Sequence, residues 1–252
     1  MDTITVTGMV LSSMAVGETD RRLVILTKEQ GRISVFARGA CRPRSSLMAV
    51  SRPFVTGSFV LIPRKDSFSL QSAAVKEYFD ELTRDFDKMA YGCYFLELAG
   101  YFSMEQADGT DLLNLLFLTL KAVEKQQMPA ELIRLVYEYR LFVAAGEYPQ
   151  VFTCSSCRKP LTEGWFQMRT RSAVCSHCGT SMDGEYLSPS AVYALQHILT
   201  APVTKLYRFR LAEDVFDALQ RVLNQWKRRY LDREFKSEAL LSPSALPQMG
   251  KM

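Results

Sequence analysis

Residues 21–38 run Arg21-Arg22-Leu23-Val24-Ile25-Leu26-Thr27-Lys28-Glu29-Gln30-Gly31-Arg32-Ile33-Ser34-Val35-Phe36-Ala37-Arg38, two β-branched runs around a polar turn that ends on glycine. Arg21 to Thr27 and Arg32 to Arg38 are therefore expected as paired strands, with Lys28-Glu29-Gln30-Gly31 as the hairpin turn. In the second run Ile33 and Val35 fall on one side and Arg32, Ser34 and Phe36 on the other, the period of a half-buried strand. Outward from this hairpin, Ile4 to Leu11, Phe54 to Ile62 and Phe68 to Val75 supply three more runs of the same kind. Five short strands in so few residues are too few for two packed sheets but suit a small closed barrel. The five-stranded OB-fold, a Greek-key barrel that binds oligonucleotides, is the economical choice for residues 1–79.

After Tyr78 the hydrophobic period changes to that of helices. Tyr91, Tyr94, Phe95, Leu96, Ala99 and Tyr101 mark a first helix, and Leu112, Leu116, Leu120 and Val123 a second. A third follows Pro129, with Leu132, Val136, Tyr139 and Val143 on one face and Gly146 beyond its end as a cap. Ser188-Pro189-Ser190 offers an N-cap and a first-turn proline to a helix through Leu199, and Val215, Leu219, Val222, Trp226 and Tyr230 stripe the last long helix. The fold class expected is thus mixed β plus α. The OB-fold barrel is followed by an α-helical body (80–149 and 183–241) with an inserted four-cysteine zinc module (150–182), then a flexible tail (242–252).

The insertion is read from Cys154-Ser-Ser-Cys157 and Cys175-Ser-His-Cys178, two Cys-x-x-Cys pairs seventeen residues apart. Two residues between thiolates let one knuckle present both sulfurs to a single ion, and two knuckles complete a tetrahedron. Cys154, Cys157, Cys175 and Cys178 are the expected ligands of one structural Zn²⁺, which leaves the metal no open position for catalysis. Gly179 is expected at positive φ just after the second knuckle. A disulfide pair does not suit a reducing cytosol, and a thioredoxin-like site has one such pair at a strand-to-helix junction rather than two. His177 is left out of the ligand set. Cys41 and Cys93 have no partners in sequence, and Cys93, beside Tyr91, Tyr94 and Phe95, reads as a small packed hydrophobe.

The chain has 252 residues with 31 basic and 27 acidic side chains, a net charge of +4 that hides its distribution. Residues 1–79 carry +5, residues 80–147 carry −6 and residues 148–252 carry +5. From Gln30 to Lys65 there are seven cations and no carboxylate: Arg32, Arg38, Arg42, Arg44, Arg52, Arg64 and Lys65. Six are arginine, whose planar fork suits phosphate and stacks on bases. Phe36, Phe54, Phe59 and Phe68 interleave as stacking platforms, although in a barrel half of them must fill the core. These seven are the candidate nucleic-acid-binding residues. With no recognition helix in view, single-stranded nucleic acid is favoured over duplex. Lys205, Arg208, Arg210, Lys227, Arg228 and Arg229 form a possible second site, with the wet side of a helix as the plainer reading of Arg228 and Arg229.

Apolar content of 48% excludes a disordered tail-like protein. No apolar run reaches the roughly 18 residues of a membrane span. Met1-Asp2-Thr3-Ile4 opens no signal peptide, so the chain reads as cytoplasmic. No Walker A loop, dinucleotide fingerprint or nucleophile elbow is present, and His177 and His197 are the only imidazoles, the latter on an apolar helix face. The acid pairs Asp80-Glu81 and Glu213-Asp214 stand at helix starts, where they complement the dipole. An enzyme is not expected.

Gly17-Glu18-Thr19-Asp20-Arg21, then Ile25-Leu26-Thr27-Lys28-Glu29-Gln30-Gly31, then Phe36-Ala37-Arg38-Gly39-Ala40 closely resemble the amino-terminal signature of the bacterial recombination mediator family RecO. The resemblance continues in Pro43-Arg44-Ser45, in Tyr94-Phe95-Leu96-Glu97-Leu98, in the two Cys-x-x-Cys pairs and in Leu187-Ser188-Pro189. It covers most of the chain. Some members carry a further basic residue where this chain has Cys41, and the stretch beyond Ser242 has no clear counterpart. The resemblance implies a non-enzymatic DNA repair protein at the bacterial nucleoid that binds single- and double-stranded DNA and anneals complementary strands. With the partner RecR it would help load RecA onto DNA coated by single-strand-binding protein. The alternative reading is an OB-fold plus zinc-ribbon RNA-binding protein, told apart by a requirement for the 2′-hydroxyl; a scaffold that never touches DNA would show no salt-sensitive oligonucleotide binding.

Overall fold

The computed structural model describes residues 2–180 and 184–241. The expected tail at 242–252 and the end of the zinc module at Ser181 and Met182 lie outside them. By its internal contacts the chain forms two compact units, residues 2–124 with 235–241, and Lys125–Glu234.

The first unit is built on a closed barrel of β1 (Ile4–Val16), β2 (Asp20–Thr27), β3 (Gly31–Ala37), β4 (Thr56–Pro63) and β5 (Phe68–Glu77), in the order β1-β2-β3-β5-β4 and closed by β4 on β1. This is the five-stranded OB topology, with the one-turn helix α1 (Leu47–Val50) between β3 and β4. Ile33 and Val35 point inward with Val10, Leu23, Ile25, Phe59 and Leu61, and Arg32, Ser34 and Phe36 lie on the outer face, as the alternation requires. Gly31 takes φ of 61°, and a Cβ there would stand 2.2 Å from the Met104 carbonyl, so only glycine closes this hairpin against its neighbour.

Two helices cover one end of the barrel. After the turn α2 (Asp80–Thr83), α3 (Phe86–Phe102) starts on the Asp85 side chain, which accepts from Lys88 N–H; α4 (Thr110–Glu124) follows. The loop between them seals the β2–β3 hairpin. Arg32 N–H donates to Met104 O at 2.8 Å, Gln106 N–H to Gln30 O at 3.0 Å and Gly109 N–H to Lys28 O at 2.9 Å. Lys121 of α4 is clamped between Glu77 at 2.6 Å and Glu124 at 2.8 Å, over the ring of Phe79.

The second unit holds α5 (Ala130–Ala144), α6 (Pro189–Thr200) and α7 (Glu213–Tyr230), and a small sheet of β6 (Gly164–Gln167), β7 (Ser172–Cys175) and β8 (Glu185–Leu187) in the order β7-β6-β8. Pro129 stands at the N-cap of α5, and Gly146 past its end has φ of 76°. Ser188 caps α6 by accepting from Ala191 N–H, with Pro189 in the first turn. The α6 carbonyl end is capped by Arg140 of α5, whose Nη1 donates to Ile198, Leu199 and Ala201. Glu138 of α5 accepts from Arg134 Nε at 2.9 Å and Lys227 Nζ at 3.0 Å, an ion cluster inside the unit.

Candidate nucleic-acid interface and metal centre

The basic loop after β3 is held by the β1–β2 turn. Asp20 accepts from Thr19 Oγ1 and from Gly39 N–H, both at 2.8 Å, and Cys41 N–H donates to Thr19 O at 2.8 Å. The Gly39 N–H, the Thr19 hydroxyl and the fields of Arg38 and Arg42 hold the Asp20 carboxyl below its ordinary value. The stretch that carries no carboxylate in sequence therefore has one beside it in space. Gly39, at φ of 69°, and Arg44, at 63°, bend the loop.

The seven cations of the first candidate set fall into two groups. Arg32 is engaged at the covered end of the barrel, donating to Gly100 O at 2.7 Å and pairing with Glu105 at 3.4 Å. Arg38, Arg42, Arg44, Arg52, Arg64 and Lys65 are exposed, and none forms an ion pair among the described residues. The Arg52 guanidinium lies over the Tyr78 ring, 5.7 Å from its centroid. Phe68 pairs with Val35 and Ser69 with Phe36 in parallel, so β5 joins the sheet at the second half of β3, directly after the β4–β5 turn that carries Arg64 and Lys65. Of the four interleaved aromatics, Phe54 and Phe59 are buried and Phe68 packs against the barrel core. Phe36 alone stands on the outer face of the barrel, half-buried.

That open face holds two side chains that the charge count alone passes over. Arg22 of β2 lies opposite Phe36, and its Nε donates to Ser34 Oγ at 3.0 Å; Met14 of β1 lies opposite Arg22 and is 60% exposed. Gly31 pairs with Thr27, so the turn is one residue shorter than the four-residue turn expected, and this register puts Arg22 across from Phe36 rather than Ala37.

In the second candidate set, Lys205, Arg208, Arg210, Arg228 and Arg229 are exposed. Lys227 is turned inward to Glu138, and the pair is only 12% and 3% exposed. Arg228 and Arg229 sit in the last turn of α7, where they complement the dipole. Arg210 lines a cleft of about 680 Å³ with Tyr193, His197 and Phe209; the His197 ring stands edge-on to Phe209 at 5.4 Å.

The four predicted ligands come together. The sulfurs of Cys154, Cys157, Cys175 and Cys178 all lie within 4.8 Å of one another, and those of Cys157 and Cys175 are 3.9 Å apart. A tetrahedron with metal–sulfur bonds of about 2.3 Å needs edges of about 3.8 Å, so the cage fits such an ion. Burial works against ionising Cys154, but the N–H groups of Cys157, Cys175 and Ser156 outweigh it and bring that thiol down to about 6. Cys178 is pushed the other way, up to about 12, by its contacts with the Cys175 and Cys157 sulfurs, so the backbone N–H groups favour thiolate at Cys154 while a bound metal would have to displace the Cys178 proton. His177 is exposed and is not among the clustered ligands. Gly179 departs from expectation: the left-handed residue of the knuckles is Arg158, at φ of 63°, directly after Cys157. Gly179 donates its N–H to Cys175 O as Arg158 donates its own to Cys154 O, so both knuckles close with the same bond, and only the first does so with a left-handed residue.

Comparison with known proteins follows the same two-part organisation. Residues 1–79 match the family described as Recombination protein O N terminal, and residues 83–239 match Recombination protein O C terminal. A "DNA repair protein RecO" from Alkaliphilus metalliredigens is 29% identical over 228 residues, covering 90% of this chain and 93% of the relative. One from Acetivibrio thermocellus is 28% identical over 238 residues, covering 93% and 94%. One from Shouchella clausii is 32% identical over 172 residues, covering 68% and 67%. An OB-type barrel with an open basic face, a four-cysteine cage and two family matches along nearly the whole chain place this protein in the Recombination protein O family of DNA repair proteins.

Proposed function

We propose that this protein is a non-enzymatic recombination mediator that holds DNA on the open face of its OB barrel, anneals complementary strands and, with RecR, assists RecA loading on DNA coated by single-strand-binding protein. The observation that carries this reading is the set Arg38, Arg42, Arg44, Arg52, Arg64 and Lys65, all exposed and free of ion pairs among the described residues, around an uncovered sheet face. Annealing makes no covalent bond. It needs two polyanions held close, and a cationic surface does this by releasing their condensed counterions. In this reading the seven-residue set, Arg32 included, makes up the first DNA site, and in the second unit Lys205, Arg208, Arg210, Lys227, Arg228 and Arg229 make up the second. Arg32 and Lys227 contribute through the folds they tie down. The cage holds one structural Zn²⁺, and the chain works in the bacterial cytoplasm at the nucleoid. The same reading treats 1–79, 80–149, 150–182, 183–241 and 242–252 as its working segments.

The test is annealing of complementary oligonucleotides coated with single-strand-binding protein, followed by fluorescence without ATP. The protein should accelerate it, and the triple variant Arg38→Ala, Arg42→Ala, Arg44→Ala should lose the acceleration. Its salt dependence of single-strand binding should fall by about 0.7 log units of slope per lost phosphate contact. An unchanged slope and affinity at matched salt would remove this loop from the interface.

A further inference from the structure

We infer that Met14, Arg22 and Phe36 form a seat for an unstacked nucleobase on the outer face of β1–β2–β3, so that the barrel reads unpaired strand through this row and phosphate through the loops around it. The inference rests on the DNA-binding role proposed above and adds the feature that separates single strand from duplex.

The outer face of the hairpin is divided. At one end, Leu26 and Arg32 face each other across β2 and β3, Leu26 is buried, and Arg32 is tied to Gly100 and Glu105. The other end, two and four residues along, is open. There Phe36 stands opposite Arg22, and Arg22 opposite Met14, so aromatic, guanidinium and thioether lie in one row across three strands. Directly opposed residues on such a ladder have Cβ atoms about 4.5–5.5 Å apart, near enough to act on one flat ligand. Ser34 accepts from Arg22 Nε at 3.0 Å, which fixes the guanidinium along β3 and leaves its two terminal nitrogens for a ligand. Arg38, exposed, opens the turn that follows β3, two residues on from Phe36.

A half-buried aromatic ring and a 60% exposed methionine beside two arginines are a poor solvated surface but a good base platform. Each base presents a π-face of similar character, so the seat tolerates any sequence. In a duplex both faces of a base are already stacked on neighbours. The row therefore acts on unpaired strand alone, whereas Arg42, Arg44, Arg64 and Lys65 act on phosphate of either form.

The experiment measures binding of the full chain to fluorescent oligothymidylate, to an abasic phosphodiester of equal length and to a blunt duplex. Phe36→Leu keeps apolar bulk but removes the ring. It should weaken oligothymidylate binding about tenfold, leave abasic and duplex affinity within about twofold and keep the salt slope, with Phe36→Trp restoring the affinity. If Phe36→Leu melts at lower temperature, Arg22→Gln on the solvent face carries the same comparison. Unchanged oligothymidylate affinity in these variants, or an equal loss on the abasic strand, overturns the seat while leaving the DNA-binding role intact. Failure of the unaltered protein to bind any of the three ligands overturns that role itself.

Discussion

Asp20 is a carboxylate placed among arginines, and its position shows why charge and geometry have to be separated. Its oxygen holds Gly39 N–H, and through the same turn Thr19 O holds Cys41 N–H, so it organises the loop that presents Arg38, Arg42 and Arg44. Its negative charge opposes the phosphates that the loop is proposed to meet. Asp20→Asn keeps an acceptor for Gly39 and removes the charge, and is expected to bind oligonucleotides as tightly as the unaltered chain or several-fold tighter. Asp20→Ala loses the acceptor and is expected to bind more weakly. Titrations at one ionic strength check this; equal tightening in both variants would mean that only the charge matters. The linear pattern did not show this carboxylate, because Asp20 is eighteen residues from Arg38 in the chain and adjacent only once the hairpin closes.

Among elements, the four-cysteine ribbon and the β5–α4 junction carry separable predictions. The ribbon sheet is short, and its knuckles are joined by the Cys154 sulfur, which accepts from Cys175 N–H at 3.3 Å, and by Ser155 N–H, which donates to Ala173 O at 2.9 Å. Metal analysis is expected to find one zinc per chain. Chelation should unfold the knuckles and β6–β8 and change the fluorescence of Trp165, which pairs with Tyr186 at 5.0 Å. Protein purified without chelator and found free of zinc would contradict the metal assignment. At the junction, burial works against the Glu77 charge, but Lys121 and the N–H groups of Phe79 and Tyr78 hold its carboxyl below the ordinary 4.5. A carboxyl depressed in the folded state contributes stability above its unfolded value, and that contribution is lost as pH falls through the folded one. Glu77→Gln should therefore be less stable than the unaltered chain at neutral pH, and the difference should shrink in denaturant titrations as pH falls below the ordinary carboxylate range. The ribbon was legible in the sequence because its ligands are paired locally. The Glu77–Lys121 pair was not, because it spans a strand, two helices and a loop.

For the whole molecule, the chain leaves its first unit after Glu124 and returns to it at Phe235. Phe235 is buried, edge-on to Tyr94 at 6.3 Å and to Tyr101 at 5.4 Å. Lys236 and Ser237 donate their N–H groups to Glu97 of α3, and the Ser237 hydroxyl donates to the same carboxylate. Phe235→Ala is expected to destabilise this unit by about 3 kcal/mol, seen in urea unfolding followed by a probe in the barrel. A loss confined to Lys125–Glu234 would show that the return segment adds nothing to the barrel unit. The strand periods, the glycine that closes the β2–β3 turn, the helix stripes and the cysteine spacing were determined by the sequence itself, because each depends on neighbours within a few residues. Which cations are spent inside the fold was decided by tertiary structure alone. Arg32 and Lys227 look like their neighbours in the chain, yet one caps the end of α3 and the other neutralises Glu138, and such partners are chosen by packing over long sequence separations.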